Sequence, residues 1–324
     1  MERIFKKNLL SFVIPCYRSE ATIEEVCAEI METVAQRPEY DYEIIAVNDC
    51  SPDGVLDVLR KLAADNPRIK VVDLAKNFGK HCAMMAGLAY VRGEYVVNLD
   101  DDCQCPTNRL WELMDAILHE DYDCATVVYR EKKQTAWKRF GSRVNAFMFN
   151  MMIEPPKGII VENFFVIKRY VCDEILHYPN PYPYVTGLLM RATHRIKMVL
   201  MEERERGDGK ATGFTFRKSL SLFASGLTAF SVKPLRVATI VGGVFALLGF
   251  LFGLFIVFRK LLHPEIMLGY SSMMAVQLLS SGVVLLMLGI IGEYIGRIYI
   301  SLNRAPQYVI RDTWNLEERG GAQS

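Results

Sequence analysis

The chain has 324 residues, which is enough for one large domain with an appendage or for two modest domains. Its formal net charge of +1 argues against a protein that coats nucleic acid. Hydrophobic residues make up 51 % of the chain, slightly more than in typical soluble proteins, and the excess lies beyond about residue 234. The N-terminus is basic but lacks the apolar core and cleavage site of a signal peptide, so we expect the following domain to stay in the cytosol.

All eight cysteines lie between Cys16 and Cys172, and none forms a CxxC pair. Cys103 and Cys105 are two residues apart, but no nearby histidine or second cysteine pair completes a zinc site. We therefore interpret the cysteines as reduced residues of a cytosolic domain.

Short β-rich runs alternate with helical periodicity from Leu9 to Tyr129. The predicted strands are Leu9–Pro15, Glu43–Asn48, Ile69–Ala75, Tyr95–Leu99 and Cys124–Tyr129. The predicted helices are Ala21–Ala35, Asp53–Ala64 and Cys82–Val91. This alternation predicts a parallel sheet with helices on both faces. Ligands of such sheets bind beyond the carboxyl ends of the strands, so the polar residues that follow each strand are candidate site residues.

Two segments are basic and amphipathic, Glu131–Met152 and Phe214–Val232. Each is either a surface helix that packs on the domain or a helix that lies in a membrane interface.

Two apolar stretches follow, Leu235–Phe258 and Ser272–Gly292, and each is long enough to cross a bilayer. The alternative is a buried helix pair inside a soluble domain. More lysine and arginine residues flank the outer ends of the pair than lie in the loop between them. The positive-inside rule therefore predicts that both termini and the preceding domain lie in the cytoplasm.

The strongest local signal is the triplet Asp100-Asp101-Asp102, directly after a predicted strand. In an extended chain Asp100 and Asp102 share a face, and Asp101 points away. Two convergent carboxylates suit Mg²⁺, which usually also binds substrate phosphates. The alternative is an acidic turn that caps the helix beginning near Pro106.

Asp49 follows the strand that ends at Asn48, and its carboxylate could accept hydrogen bonds from a nucleobase or a ribose. Ser51 and Asp53 are interpreted as caps of the next helix. Tyr17 closes the run V-I-P-C-Y, where its ring could stack on a base.

The run Asn77–His81 follows the third strand, and Gly79 would let the chain turn tightly into a helix. His81 is interpreted as a core or capping histidine. The chain contains neither GxGxxG nor GxxxxGK[ST], so a dinucleotide-binding Rossmann enzyme and a P-loop NTPase are not supported. Without GxSxG, a Ser-His-Asp hydrolase is not supported either.

Taken in order, V-I-P-C-Y, V-N-D-C-S-P-D-G, N-F-G-K-H and L-D-D-D-C-Q-C-P resemble glycosyltransferase family 2. The tail, with R-E-R-G-D-G-K, K-P-L-R, two spans and I-I-G-E-Y-I-G-R, resembles bacterial polyprenyl-phosphate glycosyltransferases, including the undecaprenyl-phosphate transferases for glucose and formamido-arabinose. The resemblance implies an α/β fold of GT-A type: a mostly parallel sheet with flanking helices, amphipathic interface helices and two C-terminal transmembrane helices. The expected divisions are a catalytic domain (1–213), a juxtamembrane helix (214–233), a transmembrane hairpin (234–296) and a cytoplasmic tail (297–324).

The resemblance also implies roles for individual residues. The expected nucleotide-binding residues are Pro15, Tyr17, Asp49, Asn77, Lys80 and Asp100. The expected catalytic residues are Asp102, Gln104, Arg204, Lys210 and Glu162. Asp100 and Asp102 are expected to bind Mg²⁺ or Mn²⁺ at the nucleotide diphosphate. Arg204 and Lys210 belong to a basic segment suited to phosphates.

Three departures from the family pattern involve four residues. Arg18 and Ser19 replace Asn and Glu, and Cys50 replaces a usual glycine. Ile159 stands where many relatives have an aspartate proposed to orient the acceptor, and either Glu162 or Asn163 is a possible substitute. A phosphate acceptor needs positioning more than a general base, because its second pKa is about 6.

The implied function is inverting transfer of a sugar from a nucleotide-sugar to polyprenyl phosphate at the cytoplasmic face of the inner (plasma) membrane, for cell-envelope glycan modification. A UDP-sugar is favoured over a GDP-sugar, and the expected partners are the donor, the lipid phosphate and the bilayer. No nucleic-acid partner is expected. The resemblance implies a homo-oligomer, specifically a tetramer. The alternatives are an inactive membrane scaffold and a dolichyl-phosphate mannose synthase-like enzyme that uses GDP-mannose. A processive synthase would show more spans and a Q-x-x-R-W motif, and a transporter would show more polar residues within its spans.

Overall fold

The computed structural model describes residues 8–129, 159–202, 204, 233–262, 270–302 and 306–316. The chain forms two compact units, one with a sheet and its helices and the other with two long apolar helices. Both predicted amphipathic segments and Lys210 lie outside the described residues.

The strands in the described part are β1 (Asn8–Cys16), β2 (Tyr40–Asn48), β3 (Ile69–Leu74), β4 (Tyr95–Asn98), β5 (Cys124–Tyr129), β6 (Phe165–Lys168), β7 (Ile196–Met201) and β8 (Ile310–Trp314). The helices of the same unit are α1 (Ile23–Ala35), α2 (Val55–Asp65), α3 (Lys80–Leu88), α4 (Leu110–His119), α5 (Arg169–Leu176) and α6 (Val185–Ala192). The five predicted strands and three predicted helices are all present, with ends within three residues of those expected.

The described strands form one sheet in the order β7-β5-β6-β4-β1-β2-β3-β8. Strands β4, β1, β2 and β3 are adjacent and mutually parallel, and β5 is parallel to β7. Strand β6 is antiparallel to both β4 and β5, and β8 is antiparallel to β3. The sheet is therefore mixed but mostly parallel, which confirms the predicted fold class.

Different helices cover the two faces of the sheet, because alternate residues of a strand point to opposite faces. Leu10, Phe12 and Ile14 belong to a buried cluster that includes residues of α1, α2 and α4. The intervening Val13 lies against α3, where a Cβ added to Gly87 would be 2.5 Å from its Cγ1 atom. Burial on both faces explains why these strands are apolar almost throughout.

Part of the expected tail belongs to the sheet. Strand β8 pairs with β3, with Trp314 opposite Val71. Beyond it, the Asn315 amide donates hydrogen bonds to the carbonyl oxygens of Ala63 at 2.6 Å and Ile69 at 2.8 Å. A five-residue strand has little intrinsic stability, so its pairing with a strand far away in the chain decides its structure.

The second unit contains α7 (Lys233–Leu262) and α8 (Tyr270–Leu302), which contact each other. The segments Ala238–Phe255 and Leu279–Gly296 are long and apolar enough to cross a membrane. Only 6 % and 0 % of these segments is buried, which argues against the alternative of a helix pair in a soluble core. Both predicted apolar helices are therefore present, and each extends beyond its predicted stretch.

Candidate active site

A cavity of about 370 Å³ opens where the carboxyl ends of β1, β2 and β4 meet at one edge of the sheet. Its lining residues are Pro15, Cys16, Tyr17, Asp49, Asn77, Gly79, Lys80, Asp100, Asp101 and Asp102. The structure thus brings together every residue predicted to bind the nucleotide, and with them Asp102. Their chemical roles remain predictions.

Asp49 joins two loops of this cavity. It is only 3 % exposed, and its two carboxylate oxygens accept the backbone N–H groups of Phe78 at 2.7 Å and Gly79 at 2.9 Å. Gly79 has φ +90°, a conformation that glycine adopts without strain, as expected for a tight turn into α3. Burial raises the pKa of Asp49, and the two N–H bonds oppose that shift. Each oxygen keeps a second lone pair for a ligand.

Asp101 has a structural role that differs from that of its neighbours. Its carboxylate accepts the backbone N–H of Tyr17 at 2.9 Å, and its carbonyl oxygen accepts the hydroxyl of Thr22 at 2.5 Å. Burial raises the pKa of Asp101. Asp101 therefore attaches the β1–α1 connection to the end of β4, while the Tyr17 ring is left 43 % exposed at the cavity.

Asp100 lies between a cation and an amide. Its Oδ1 atom pairs with the ammonium group of Lys80, and its Oδ2 atom accepts the amide of Asn163 at 2.9 Å. Asn163 is in turn held by Asn98 of β4, whose amide donates to the Asn163 carbonyl at 2.7 Å. Sequence reasoning considered Asn163 only as a substitute near Ile159. The polar Asn98 inside an apolar strand was the signal that could have drawn attention to this connection.

Asp100 and Asp102 are the residues that could hold a divalent cation. The Asp102 carboxylate accepts the backbone N–H of Gln104 at 3.2 Å. Among the described residues, no group of three or more His, Cys, Asp or Glu side chains could hold a metal. Two carboxylates nevertheless fit an ion such as Mg²⁺, which is usually bound by one or two carboxylates together with substrate phosphates.

The other predicted catalytic residues that the structure describes, Gln104, Glu162 and Arg204, are not among the residues that line this cavity. Arg204 pairs with Glu29 at 2.7 Å and donates to the Asn108 side chain at 2.6 Å. It lines a second cavity of about 390 Å³, and its carbonyl oxygen accepts the amide of Gln104 at 3.4 Å. Glu162 is fixed by its backbone N–H, which donates to the Thr126 hydroxyl at 3.1 Å.

His81 follows Lys80 at the start of α3. Its ring makes an edge contact with Tyr184 at 4.8 Å between centroids, and its Nδ1 atom is buried without a hydrogen-bond partner among the described residues. Burial, with a smaller contribution from Lys80, lowers the pKa of His81 to about 4, so the ring is neutral near pH 7. This agrees with its interpretation as a core histidine.

The departures at Arg18 and Cys50 occupy left-handed backbone, with φ of 61° and 49°. Glycine adopts such angles most easily, which explains why glycosyltransferase family 2 usually has a glycine at the position of Cys50. The Arg18 N–H donates to the Ser51 hydroxyl at 2.8 Å, and the Glu20 N–H donates to Asp53 at 3.0 Å. Ser51 and Asp53 thus connect the loops after β1 and β2, whereas the residue that caps α2 is Gly54.

The eight cysteines are all free, as predicted, and six of them are buried. Burial raises the pKa of Cys105, beside the aspartate triplet, to about 12. Its thiol is therefore protonated at neutral pH and is a poor nucleophile.

Residues 11–176 match the family model described as Glycosyl transferase family 2, and residues 233–298 match that of the GtrB C-terminal hairpin. YkcC of Bacillus subtilis, an uncharacterized glycosyltransferase, is 33 % identical over 95 % of each chain. The SfII prophage-derived bactoprenol glucosyl transferase of Shigella flexneri is 30 % identical over 93 % of this chain and 97 % of its own. An undecaprenyl-phosphate 4-deoxy-4-formamido-L-arabinose transferase of Shewanella sediminis is 28 % identical over 98 % of this chain and 96 % of its own.

The chain also resembles solved structures. Glucosyl-3-phosphoglycerate synthase from Mycobacterium tuberculosis, in complex with Mn²⁺ and UDP-glucose, superposes with a TM-score of 0.51. The match covers 70 % of this chain and 78 % of that one at 20 % identity, which shows a shared fold. Because the family model matches residues 11–176 and the relatives align over nearly the entire chain, this chain belongs to glycosyltransferase family 2.

Proposed function

We propose that this glycosyltransferase transfers a sugar from a nucleotide-sugar to undecaprenyl phosphate at the cytoplasmic face of a membrane, for use in cell-envelope glycan modification. The observation that carries the proposal is the cavity at the strand ends, which gathers Asp49, Lys80, Asp100 and Asp102 in a chain with two membrane-length helices. The full-length similarity to transferases named for bactoprenol and undecaprenyl phosphate supports the lipid acceptor.

The nucleotide would occupy the part of the cavity between Tyr17 and Asp49. Asp49 is already oriented by two backbone N–H groups, so its remaining lone pairs can accept hydrogen bonds from a nucleobase or ribose without reorganisation. The exposed ring of Tyr17 offers a stacking surface. Pro15 and Asn77 complete this side of the cavity. UDP is the favoured nucleotide, with GDP as the alternative.

The diphosphate would lie over Lys80, Asp100 and Asp102. The Lys80 ammonium is held by Asp100, and it can turn toward a phosphate oxygen when the ligand enters. Mg²⁺ or Mn²⁺ held by Asp100 and Asp102 would neutralise charge on the departing nucleoside diphosphate. The fold shared with a synthase solved with Mn²⁺ and UDP-glucose is compatible with this arrangement.

The expected reaction is a direct displacement with inversion. An oxygen of the lipid phosphate forms a bond to the anomeric carbon, and the bond from that carbon to the donor phosphate oxygen breaks. The electron pair leaves with the nucleoside diphosphate. The acceptor is largely deprotonated near neutral pH, because its second pKa is about 6, so a general base is not required. Gln104, Glu162, Arg204 and Lys210 are proposed to orient the sugar and the acceptor.

The topology supports a hairpin with both ends on the same side of the membrane. Strand β8 follows α8 in the chain, yet it pairs with β3, which precedes α7. Segments before and after the two apolar helices therefore belong to one sheet, which requires an even number of crossings. Together with the positive-inside rule, this favours a multi-pass protein with its catalytic unit and termini in the cytoplasm. A homo-oligomer is proposed by resemblance.

The test is transfer of labelled sugar to undecaprenyl phosphate by the purified full chain, across UDP- and GDP-sugars with Mg²⁺, Mn²⁺ or EDTA. Asp102→Asn should lower the rate by about 100-fold, because it removes a preorganised charge at the diphosphate. Asp57→Asn is the matched control, since the Asp57 side chain is 83 % exposed on α2. A product with GDP-mannose alone would favour the mannose synthase alternative. Neither product nor nucleotide binding would refute the proposal and favour an inactive scaffold.

A further inference from the structure

A buried carboxylate next to the proposed nucleotide site faces an arginine from the C-terminal strand. Asp73 of β3 is 1 % exposed, and its Oδ2 atom accepts no hydrogen bond from the described residues. The guanidinium Nη1 atom of Arg311, in β8, lies 3.6 Å from this oxygen. A buried carboxylate oxygen without a hydrogen bond is costly, and the Arg311 guanidinium supplies a positive charge beside it.

Asp73 holds the residue that precedes Asp49. Its Oδ1 atom accepts the amide of Asn48 at 2.7 Å, and the Asn48 side-chain oxygen accepts the backbone N–H of Ser51 at 3.1 Å. The turn after β2, which contains the left-handed Cys50, is therefore fixed by Asn48. The orientation of Asn48 in turn depends on Asp73.

Arg311 also holds the loop on the other side of Asp49. Its Nη2 atom donates to the carbonyl oxygen of Ala75 at 2.8 Å, and the Ala75 N–H donates to the Val309 carbonyl at 2.8 Å. Ala75 begins the loop that supplies the N–H groups of residues 78 and 79 to the Asp49 carboxylate. One side chain of β8 thus contacts the β3–α3 loop directly at Ala75 and is linked to the turn after β2 through Asp73 and Asn48.

We propose that Arg311 is a positioning residue for nucleotide binding. It neutralises Asp73 and anchors Ala75, and so keeps Asp49 in the geometry that the nucleotide requires. The strand that follows the apolar hairpin thereby completes the donor site. This inference rests on the proposed function, in that the cavity around Asp49 is taken as the donor site.

The position of Arg311 distinguishes this role from attachment of the strand alone. The Arg311 side chain is 54 % exposed and buries little surface. Attachment of β8 at its far end is provided by Asn315, whose amide donates to the carbonyl oxygens of Ala63 in α2 and of Ile69 at the start of β3, away from the cavity. Asn315→Ala is therefore a matched control that weakens the strand without touching the two loops.

The experiment is calorimetric titration of the full chain in detergent with UDP and with GDP, in the presence of Mg²⁺, together with thermal unfolding and donor kinetics. Arg311→Met should weaken binding of the nucleotide that the wild type binds by about tenfold, or about 1.4 kcal/mol. It should raise the donor KM more than it lowers kcat. Arg311→Lys retains the charge, so its nucleotide affinity should lie between those of the wild type and Arg311→Met. Asn315→Ala should lower the Tm and change the Kd less than about twofold.

A second readout is rescue by charge removal. Asp73→Asn in the Arg311→Met background removes the uncompensated charge, so part of the lost affinity should return. Wild-type affinity in both Arg311 variants would overturn the inference. The inference would also be overturned if the loss of nucleotide affinity simply paralleled the loss of Tm in both Arg311→Met and Asn315→Ala. A wild-type chain that binds neither UDP nor GDP would instead refute the proposed function, and this inference with it.

Discussion

The buried histidine beside the cavity should make the stability of the catalytic unit dependent on pH. His81 has its pKa lowered from 6.5 to about 4, chiefly by burial and then by the charge of Lys80, while Asp100 acts in the opposite direction. The unfolded chain therefore binds a proton on this residue between about pH 6.5 and pH 4, where the folded chain does not. The contribution of neutral His81 to the free energy of unfolding is therefore fully present above about pH 6.5 and is lost as the pH falls toward 4.

The size of the effect follows from the difference between the two pKa values. Each pKa unit corresponds to about 1.4 kcal/mol, so protonation of His81 in the unfolded state costs the fold at most about 3.4 kcal/mol. More than half of this loss occurs between pH 7 and pH 5, where the free energy of unfolding of the wild type should fall by about 2 kcal/mol because of His81. His81→Phe removes the titration and keeps a ring against Tyr184.

The assay is urea unfolding of the full chain in detergent, with EDTA and without nucleotide, followed by tryptophan fluorescence at pH 7 and pH 5. The wild type should lose about 2 kcal/mol more than His81→Phe over this interval. His177→Gln is the control, because its side chain is 77 % exposed, and this variant should behave as the wild type does. Equal losses in the wild type and His81→Phe would show that burial does not keep His81 neutral.

Asn163→Ala removes the amide that holds Asp100, so kcat should fall by about tenfold with less change in donor KM; an unchanged kcat would exclude a positioning role. Gly79→Ala would meet no atom within 4 Å, but its φ of +90° is strained for alanine; thermal unfolding should show a loss of about 1–2 kcal/mol. Gly87→Ala should cost about 1–3 kcal/mol for a different reason, since its Cβ would lie 2.5 Å from Val13; a Tm equal to that of the wild type would mean that α3 moves away without cost.

Several features of the site could be predicted because they depend on local chemistry. A strand that is buried on both faces must be apolar throughout, and its first polar residues mark its carboxyl end. Asp49 and Asp100 were found in this way, and the parallel topology brings their strand ends to one edge of the sheet. The apolar helices were equally apparent, since about 20 apolar residues in succession suffice to cross a bilayer core.

Contacts between distant segments were not predictable from local patterns. Sequence reasoning placed Asp101 away from the site, whereas its carboxylate holds the backbone of Tyr17, 84 residues earlier. The partners of Asp100 show the same limit, because Asn163 is 63 residues away.

The sequence by itself determined the family, the parallel core, the two apolar helices and the polar residues at the strand ends, because each is encoded in contiguous residues whose pattern follows local geometry. Only the tertiary structure decided that β8 returns to pair with β3 and that Arg311 meets the buried Asp73. A short strand and a single exposed arginine carry no periodic pattern. Their place is set by hydrogen bonds and charge compensation, which exist only once the sheet has brought the separated segments together.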